Sequence, residues 1–297
     1  MRRRRAGHGD ARRAARLELA LVGVLLAFAS SVVWGGADFG GGLLTRRLPA
    51  FAVTVWSQAA GFVALGTAVL VRGDVSARSF LLGLAAGAGG GAGLALFYRA
   101  LALGTMSVVS PVVACGAVVP FGISIASGER PAPLALAGAA AAVAGAVLAS
   151  IDEHRSESPD RARAVLLAVG AAIALGLFVY FLGLGSREGD ALSTLFGARV
   201  GSLSLLAVGV AAVRAPLRLP RGAFAPVAAV GLADVSANAL FAAANGHGLL
   251  ALVSVLGSLY PVTTVLLAHR LLHERLTRPQ RAGVAVALCG VALIAAA

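Results

Sequence analysis

The sequence predicts an all-α integral membrane protein with ten transmembrane helices, arranged as two inverted repeats of five helices. Three observations lead to this fold class. The chain of 297 residues is 59% hydrophobic and 13% charged, whereas soluble domains average about 45–50% apolar and about 25% charged residues. It divides into ten apolar runs, each close to the length of a membrane span. The two halves of the chain also repeat one pattern.

The repeat is seen in segments 95–130 and 239–275, which read as the same apolar hairpin. Over their first sixteen positions, which lie 144 residues apart, seven residues are identical. An internal repeat of half the chain length indicates a duplicated structural unit. Because each unit has an odd number of spans, the second copy crosses the membrane in the opposite sense. Inverted repeats of this kind place a binding site near the bilayer midplane, where the repeats meet.

The chain divides into a basic tail, a first repeat, a polar linker and a second repeat, which we place at 1–16, 17–151, 152–162 and 163–297. The apolar runs are 17–36, 50–71, 79–100, 105–127, 132–151, 164–185, 191–213, 223–245, 248–268 and 279–297. Each approaches the ~20 residues that cross about 30 Å of hydrocarbon. Helix is expected because backbone polar groups have no water partner in lipid. A signal-peptide cleavage site could be proposed at 27–30, but the apolar run continues past it, which favours a retained first helix.

The net charge of +12 and the pI of 11.5 would indicate nucleic-acid binding in a soluble protein. Here most arginines flank apolar runs, where they orient helices. We therefore expect a plasma (inner) membrane protein with cytoplasmic N- and C-termini, a small-molecule substrate and no nucleic-acid partner. In the second half the arginine bias runs against this orientation. Monomer and homodimer are both compatible with the sequence.

The duplicated order resembles the ten-helix EamA-type transporters of the drug/metabolite transporter superfamily, over about residues 20–297. The residues that carry the resemblance are Trp34-Gly35, the hairpin ends Gly128-Glu129-Arg130 and His273-Glu274-Arg275, Pro261, and Gly283 with Gly290. The resemblance implies that spans 1, 3, 4, 6, 8 and 9 line a central cavity and that the fifth and tenth lie at the periphery. The second repeat departs from the first because it lacks a Trp-Gly pair.

Ionisable groups inside spans are the main functional candidates, because each costs about 2.5–3.5 kcal/mol on insertion scales and marks a pathway or a paired site. Asp38 lies among glycines near the end of the first span. It faces a cavity, binding a cation or a proton, or it is an interfacial residue, or it caps a break in the helix at the glycines. Asp234 shares a helical face with Asn238 and Asn245, which lines a cavity or forms a packing network. Arg199 requires a counter-charge or carbonyl partners, and both aspartates are available. It either holds an anionic substrate or forms a structural ion pair.

Other polar or aromatic side chains in the spans either line the same cavity or pack in the core. These are Trp34, Gln58, Tyr98, Ser110, Ser254 and Tyr260. Two acidic-basic pairs end the fourth and ninth spans, and we expect them to anchor the turns that follow. These pairs are Glu129 with Arg130 and Glu274 with Arg275.

No catalytic, cofactor or metal site is predicted. His269 and His273 have the spacing of a metal-binding pair, but no third ligand lies nearby in the sequence. Ser254, His247 and Asp234 are not accompanied by a Gly-x-Ser-x-Gly motif, and the glycine runs lack a phosphate-binding loop. We therefore expect a secondary transporter that exports a small metabolite or amphipathic compound by alternating access, with proton coupling as one option. The alternative is a non-transporting membrane protein with a structural or regulatory partner role.

Overall fold

The computed structural model describes residues 3–126, 132–150, 159–187, 190–247, 260–273 and 276–296. Within these ranges the fold is helical and contains no strand. The α-helices are α1 (Arg3–Thr45), α2 (Ala50–Arg72), α3 (Ala77–Leu103), α4 (Met106–Ala114), α5 (Val118–Ala126), α6 (Pro133–Ser150), α7 (Pro159–Arg187), α8 (Ala191–Val213), α9 (Phe224–His247), α10 (Tyr260–Leu271) and α11 (Arg278–Ala296). Two short 3-10 helices cover Cys115–Ala117 and Arg221–Ala223.

Among the described residues, six helices are long and apolar enough to cross a membrane. They provide the spans Val22–Thr45, Ala50–Arg72, Ala77–Leu103, Asp160–Ser186, Ala191–Val213 and Arg221–Ala244. Large apolar side chains cover the outside of the bundle, such as Leu166 with 72% and Leu81 with 63% of their surface exposed. A surface this apolar favours contact with lipid over contact with water.

Two helix boundaries differ from the sequence prediction. The first span continues through its glycines to Thr45, so the expectation that Asp38 caps a break in the helix is wrong. The glycines pack instead of breaking the helix: a Cβ added at Gly41 would lie 2.2 Å from the Tyr98 ring. In the second half, α7 already begins at Pro159, inside the predicted linker. Proline suits the first turn of a helix.

The fourth predicted span is irregular. It consists of α4, the 3-10 turn Cys115–Ala117 and α5 in succession. Pro111 lies inside α4 and lacks the N–H that would continue the helical ladder. The Cys115 thiol donates to the Pro111 carbonyl at 3.3 Å and to the Ala142 carbonyl of α6 at 3.2 Å.

Glycines let α3 and α8 approach closely. A Cβ added at Gly83 would lie 2.2 Å from the Thr194 carbonyl oxygen, and one at Gly87 would lie 2.1 Å from that of Ala198. Small residues of this kind are what allow helix backbones to meet in a membrane. Because the contacting residue numbers rise together along both helices, α3 and α8 run parallel.

Other contacts between the halves fix the direction of further helices. On α1 and α9 the paired numbers run in opposite directions, from Ser30 with Ala237 to Gly40 with Val230, so these helices are antiparallel. By contrast α2 and α9 are parallel, because a Cβ at Gly231 would meet the carbonyl oxygen of Ser57 and one at Gly61 would meet the side chain of Val235.

The halves also use matching helices to contact each other. In the first half α3 packs on α7 and α8, and in the second half α9 packs on α1 and α2. Likewise α6 and α11, the last helices of the two halves, pack on each other. The candidate site lies where α1, α2, α8 and α9 meet.

Candidate functional site

A buried hydrogen-bonded cluster lies between the two halves, with Arg199 at its centre. The guanidinium Nη1 donates to Gln58 Oε1 at 2.5 Å, and Nη2 donates to Asp234 Oδ2 at 2.5 Å. Ser202, one turn after Arg199, donates to the same Gln58 oxygen at 2.8 Å. The counter-charge that the sequence requires for Arg199 is therefore Asp234, from α9.

The Asp234 carboxylate collects two further donors. Trp34 Nε1, from α1, donates to Oδ1 at 3.1 Å. Asn238, one turn along α9, donates from Nδ2 to the Asp234 carbonyl at 2.7 Å and lies 3.4 Å from Oδ1. The bond to the carbonyl fixes the orientation of the amide, which leaves Asn238 Oδ1 buried and without a hydrogen-bond partner in the described part of the chain.

Gln58 and Arg199 occupy equivalent positions of α2 and α8. Both helices have 23 residues, and the two side chains occupy the ninth position of their helices. The cluster is thus built from equivalent positions of the two halves. Gly61, one turn after Gln58, leaves room for the guanidinium: a Cβ there would lie 3.3 Å from Arg199 Nε.

The two members of the central ion pair differ in exposure. The Arg199 side chain is 9% exposed and the Asp234 side chain 20% exposed. Removing one partner of such a buried pair leaves an uncompensated charge, which costs about 3–5 kcal/mol. Asp234 is therefore the more accessible member of the pair.

Asp38 lies beside this cluster and outside its bonding pattern. It falls one turn after Trp34 and one turn before Gly41, so it shares the face of α1 that contacts Asp234 and Tyr98. Its carboxyl interacts electrostatically with Asp234, Tyr98 and Tyr260. No hydrogen bond or ion pair to the Asp38 carboxyl is present among the residues described.

Aromatic rings border the same face of α1. The Trp34 ring lies 5.7 Å from that of Phe241 and 6.0 Å from that of Tyr260, measured between centroids. Thr264, one turn after Tyr260, donates to the Gly35 carbonyl at 3.1 Å and so holds α10 against α1. Tyr260 and Trp34, predicted from sequence as cavity residues, thus lie together.

An open apolar groove of about 350 Å³ runs alongside, between α1 and α9. It is lined by Val33, Gly36, Ala37, Ala229, Val230 and Ala233. Several of these residues are direct chain neighbours of Trp34, Asp38 and Asp234. The groove therefore presents apolar surface beside the helices that carry Trp34 and Asp234.

The remaining predicted residues are spread more widely. Tyr98 is buried against Gly41, and Ser110 is buried on α4 with its hydroxyl unpaired in the described chain. The side chain of Asn245 lies outside the described set. Five other predicted residues lie wholly outside the described ranges, namely Ser254, Glu129, Arg130, Glu274 and Arg275. Among the side chains that can be placed, no group of three or more His, Cys, Asp or Glu could hold a metal ion.

Sequence reasoning missed the hydroxyl contacts of the site. Ser202, Ser30 and Thr264 all bond to partners on other helices. Serine and threonine also bond to carbonyls of their own helix, as Ser202 does to Arg199, so their presence in a span is a weak signal. For Ser202 the only available signal is its position one turn after a buried arginine.

A second charged network joins the halves at one end of the bundle. Arg72, at the end of α2, donates from Nη1 to Asp190 Oδ1 at 2.7 Å and pairs with Asp74 at 2.6 Å. Asp190 also accepts from the Ser193 hydroxyl, and the Ser76 N–H donates to that hydroxyl at 3.0 Å. The hydrogen bonds from Arg72 and Ser193 lower the pKa of the Asp190 carboxyl to about 2.

The comparisons with known proteins agree on the fold. The model of the EamA-like transporter family matches residues 21–151 and 162–296. Among solved structures 21 chains match. One of them, a crystal structure of a protein, has 19% sequence identity to this chain and a TM-score of 0.63. That match covers 92% of this chain and 96% of the other chain. No curated protein matches the chain significantly. The family match falls once on each half of the chain.

Proposed function

Because this chain belongs to the EamA-like transporter family, we propose that it is a secondary transporter of the plasma membrane that exports a small metabolite or amphipathic compound by alternating access. The observation that carries the proposal is the buried Arg199–Asp234 cluster, which joins side chains of both halves. A charge pair inside apolar helices is expensive and is retained in membrane proteins at pathways and binding sites.

We further propose that the ten spans form two inverted five-helix repeats. The helix directions support this arrangement. If the second half crosses the membrane in the opposite sense to the first, α8 runs parallel to α3, and α9 runs parallel to α2 and antiparallel to α1, as in the contacts described above. If both halves crossed in the same sense, each of these relations would be reversed. The matching helix contacts of the two halves fit the same symmetry.

In this proposal the residues have distinct roles. The innermost part of the site is formed by Arg199, Gln58 and Ser202, whose hydrogen bonds join α2 to α8. Trp34, Asp234 and Asn238 face the approach of the substrate from α1 and α9, with Asp38 and Tyr260 beside them. Rocking of one half against the other would separate bonds between α1 and α9, such as Trp34 to Asp234, and expose the site to alternate sides.

Coupling to protons, if present, would use one of the two carboxyls. Protonation of Asp234 would weaken its bond to Arg199, whereas Asp38 could take up a proton without breaking an ion pair. Asp234→Asn and Asp38→Asn, assayed in liposomes with an imposed pH gradient, separate these options. The variant of the coupling group loses the response to the gradient, and the other retains it.

The experiment that tests transport compares cells that overexpress the protein with cells that lack the gene, across a panel of metabolites and toxic compounds. Each compound whose cellular accumulation differs between the two kinds of cell is then tested for uptake into everted membrane vesicles. We expect lower cellular accumulation on overexpression, and loss of vesicle uptake in the Arg199→Gln variant at equal membrane abundance. Asp160→Asn, an exposed carboxyl at the start of α7, serves as the matched control. No change in distribution for any compound would favour the partner role instead.

A further inference from the structure

The site holds two carboxyl groups, those of Asp38 and Asp234, but only one guanidinium group, that of Arg199. Arg199 is bonded to Asp234, so that this pair is neutral as a unit. Asp38 shares the same surroundings, interacts electrostatically with Asp234, and has no ion-pair partner among the described residues. With both carboxyls ionised, the site carries one unmatched negative charge. An unmatched charge in a low-dielectric region is costly, so a ligand of opposite charge is favoured there.

The groups around Asp38 also point to the chemical nature of the cation. The Trp34 ring lies 5.7 Å from that of Phe241 and 6.0 Å from that of Tyr260, and Trp34 precedes Asp38 by one turn of α1 while Tyr260 interacts electrostatically with Asp38. Aromatic faces attract organic cations through the ring quadrupole. The adjoining groove is lined by aliphatic residues and glycine alone, which suits the apolar part of such a molecule.

A second, independent observation concerns the unused acceptor of the cluster. Asn238 Oδ1 is buried in a side chain that is 2% exposed, and it has no partner in the part of the chain described. Its amide lies within 3.4 Å of Asp234. A buried acceptor without a donor is unfavourable, and an ammonium group brings N–H donors together with positive charge.

We propose that Asp38, the aromatic rings beside it and Asn238 select a monovalent organic cation, of the primary ammonium type, as the substrate of this site. The inference rests on the proposed function in calling that ligand a substrate, but its binding is measured without transport. It assigns Asp38 the unmatched charge and leaves Asp234 to hold Arg199 in place.

The test measures binding of three probes of similar shape to the purified full-length protein in detergent, by calorimetry at pH 7. The probes are phenethylammonium, neutral 2-phenylethanol and anionic phenylacetate. We expect phenethylammonium to bind at least tenfold more tightly than either of the other two. Equal binding of the three probes, preference for phenylacetate, or no binding of phenethylammonium to folded protein would overturn the proposal.

Variants locate the charge. Asp38→Asn should weaken phenethylammonium binding at least tenfold, and Asp38→Glu should restore most of it. Because Asp38 has no partner to lose, its replacement leaves the bundle folded, which the tryptophan fluorescence melting curve verifies. Asp160→Asn, which removes an exposed carboxyl at the start of α7, should bind phenethylammonium as the wild type does. Unchanged binding in Asp38→Asn contradicts the assignment.

A charge-rescue variant excludes a merely structural role for Asp38. Asp38→Asn combined with Arg199→Gln removes one negative and one positive charge, and leaves Asp234 as the unmatched carboxyl. Phenethylammonium binding should then recover relative to Asp38→Asn alone, and a folded double variant without recovery counts against the proposal. Charge-selective binding without transport contradicts only the proposed function, whereas transport of a neutral or anionic compound without this selectivity contradicts only the present inference.

Discussion

At the scale of single residues, Arg199 is held by bonds to two helices. Its Nη1 and Nη2 atoms donate to Gln58 and Asp234, and Gly61 makes room for the head group. These bonds compensate a charge that is otherwise expensive in the bundle interior. Arg199 therefore contributes both to the stability of the helix bundle and to the geometry of the site.

The first prediction concerns that pair. Asp234→Asn should lower the free energy of unfolding by about 3–5 kcal/mol, because Arg199 is left buried with an uncompensated charge. The double variant Arg199→Gln with Asp234→Asn should lose less than Asp234→Asn alone. Chemical denaturation in detergent micelles, followed by tryptophan fluorescence, measures both. If the double variant loses as much free energy of unfolding as Asp234→Asn alone, or more, the two side chains do not act as a pair.

Much of the site could be predicted from sequence at this scale. Asp234, Arg199, Gln58 and Trp34 stand out as polar or aromatic residues within apolar spans, and the structure brings them into one cluster. What could not be predicted is the pairing itself, because the sequence leaves Arg199 with two possible partners. Asp38 was open to a second interpretation because glycines both interrupt helices in solution and allow close packing in membranes.

At the scale of helices, glycine contacts set the distance between the halves. The backbones of α3 and α8 nearly touch at Gly83, Gly87, Gly197 and Gly201. Helix bounds were well predicted where a run is uninterrupted, as for α8, whose bounds are those of the apolar run. The 3-10 turn at Cys115–Ala117, one turn after Pro111, was not predicted, because the length and hydrophobicity of an apolar run carry no signal for it.

The second prediction tests this packing. Gly87→Ala places a Cβ 2.1 Å from the Ala198 carbonyl oxygen, which backbone separation alone can relieve, and overpacking of this kind costs about 1–3 kcal/mol. The matched control is Gly183→Ala in α7, where a Cβ meets nothing within 4 Å. We expect Gly183→Ala to be neutral or to stabilise by about 0.5–1 kcal/mol. Equal melting temperatures for the two variants would contradict the close packing.

The third prediction concerns the network that joins the ends of α2 and α8. The pKa of Asp190 is lowered to about 2 by the hydrogen bonds from Arg72 and Ser193. A carboxyl with a lowered pKa stabilises the folded state above its ordinary pKa and loses that contribution as the pH falls through its folded value. The wild type should therefore melt above Asp190→Asn at pH 5, and the difference should disappear between about pH 4 and pH 2. A difference that does not depend on pH would contradict the pairing.

At the scale of the whole molecule, the account depends on how the two halves are oriented. The Arg72–Asp190 network ties the loop between α2 and α3 to the loop between α7 and α8, so these two loops lie at the same end of the bundle. The helix α8 then leads away from that side, towards Arg218. The duplication could be predicted from the repeated hairpins, but the arginine distribution gave conflicting signals for the second half, and the relative directions of the helices could be taken only from their contacts.

The central claim is tested most directly by finding on which side of the membrane two equivalent loops lie, the loop between α2 and α3 and the loop between α8 and α9. Val75, between α2 and α3, and Arg218, between α8 and α9, are exposed. Each is replaced by cysteine in a chain whose Cys115 and Cys289 are changed to alanine, and labelled with a membrane-impermeant maleimide in intact and permeabilised cells. The account predicts that only one of the two positions is labelled in intact cells and that both are labelled after permeabilisation. Labelling of both positions in intact cells, or of neither, would contradict two halves that face each other in opposite orientations around the Arg199–Asp234 site.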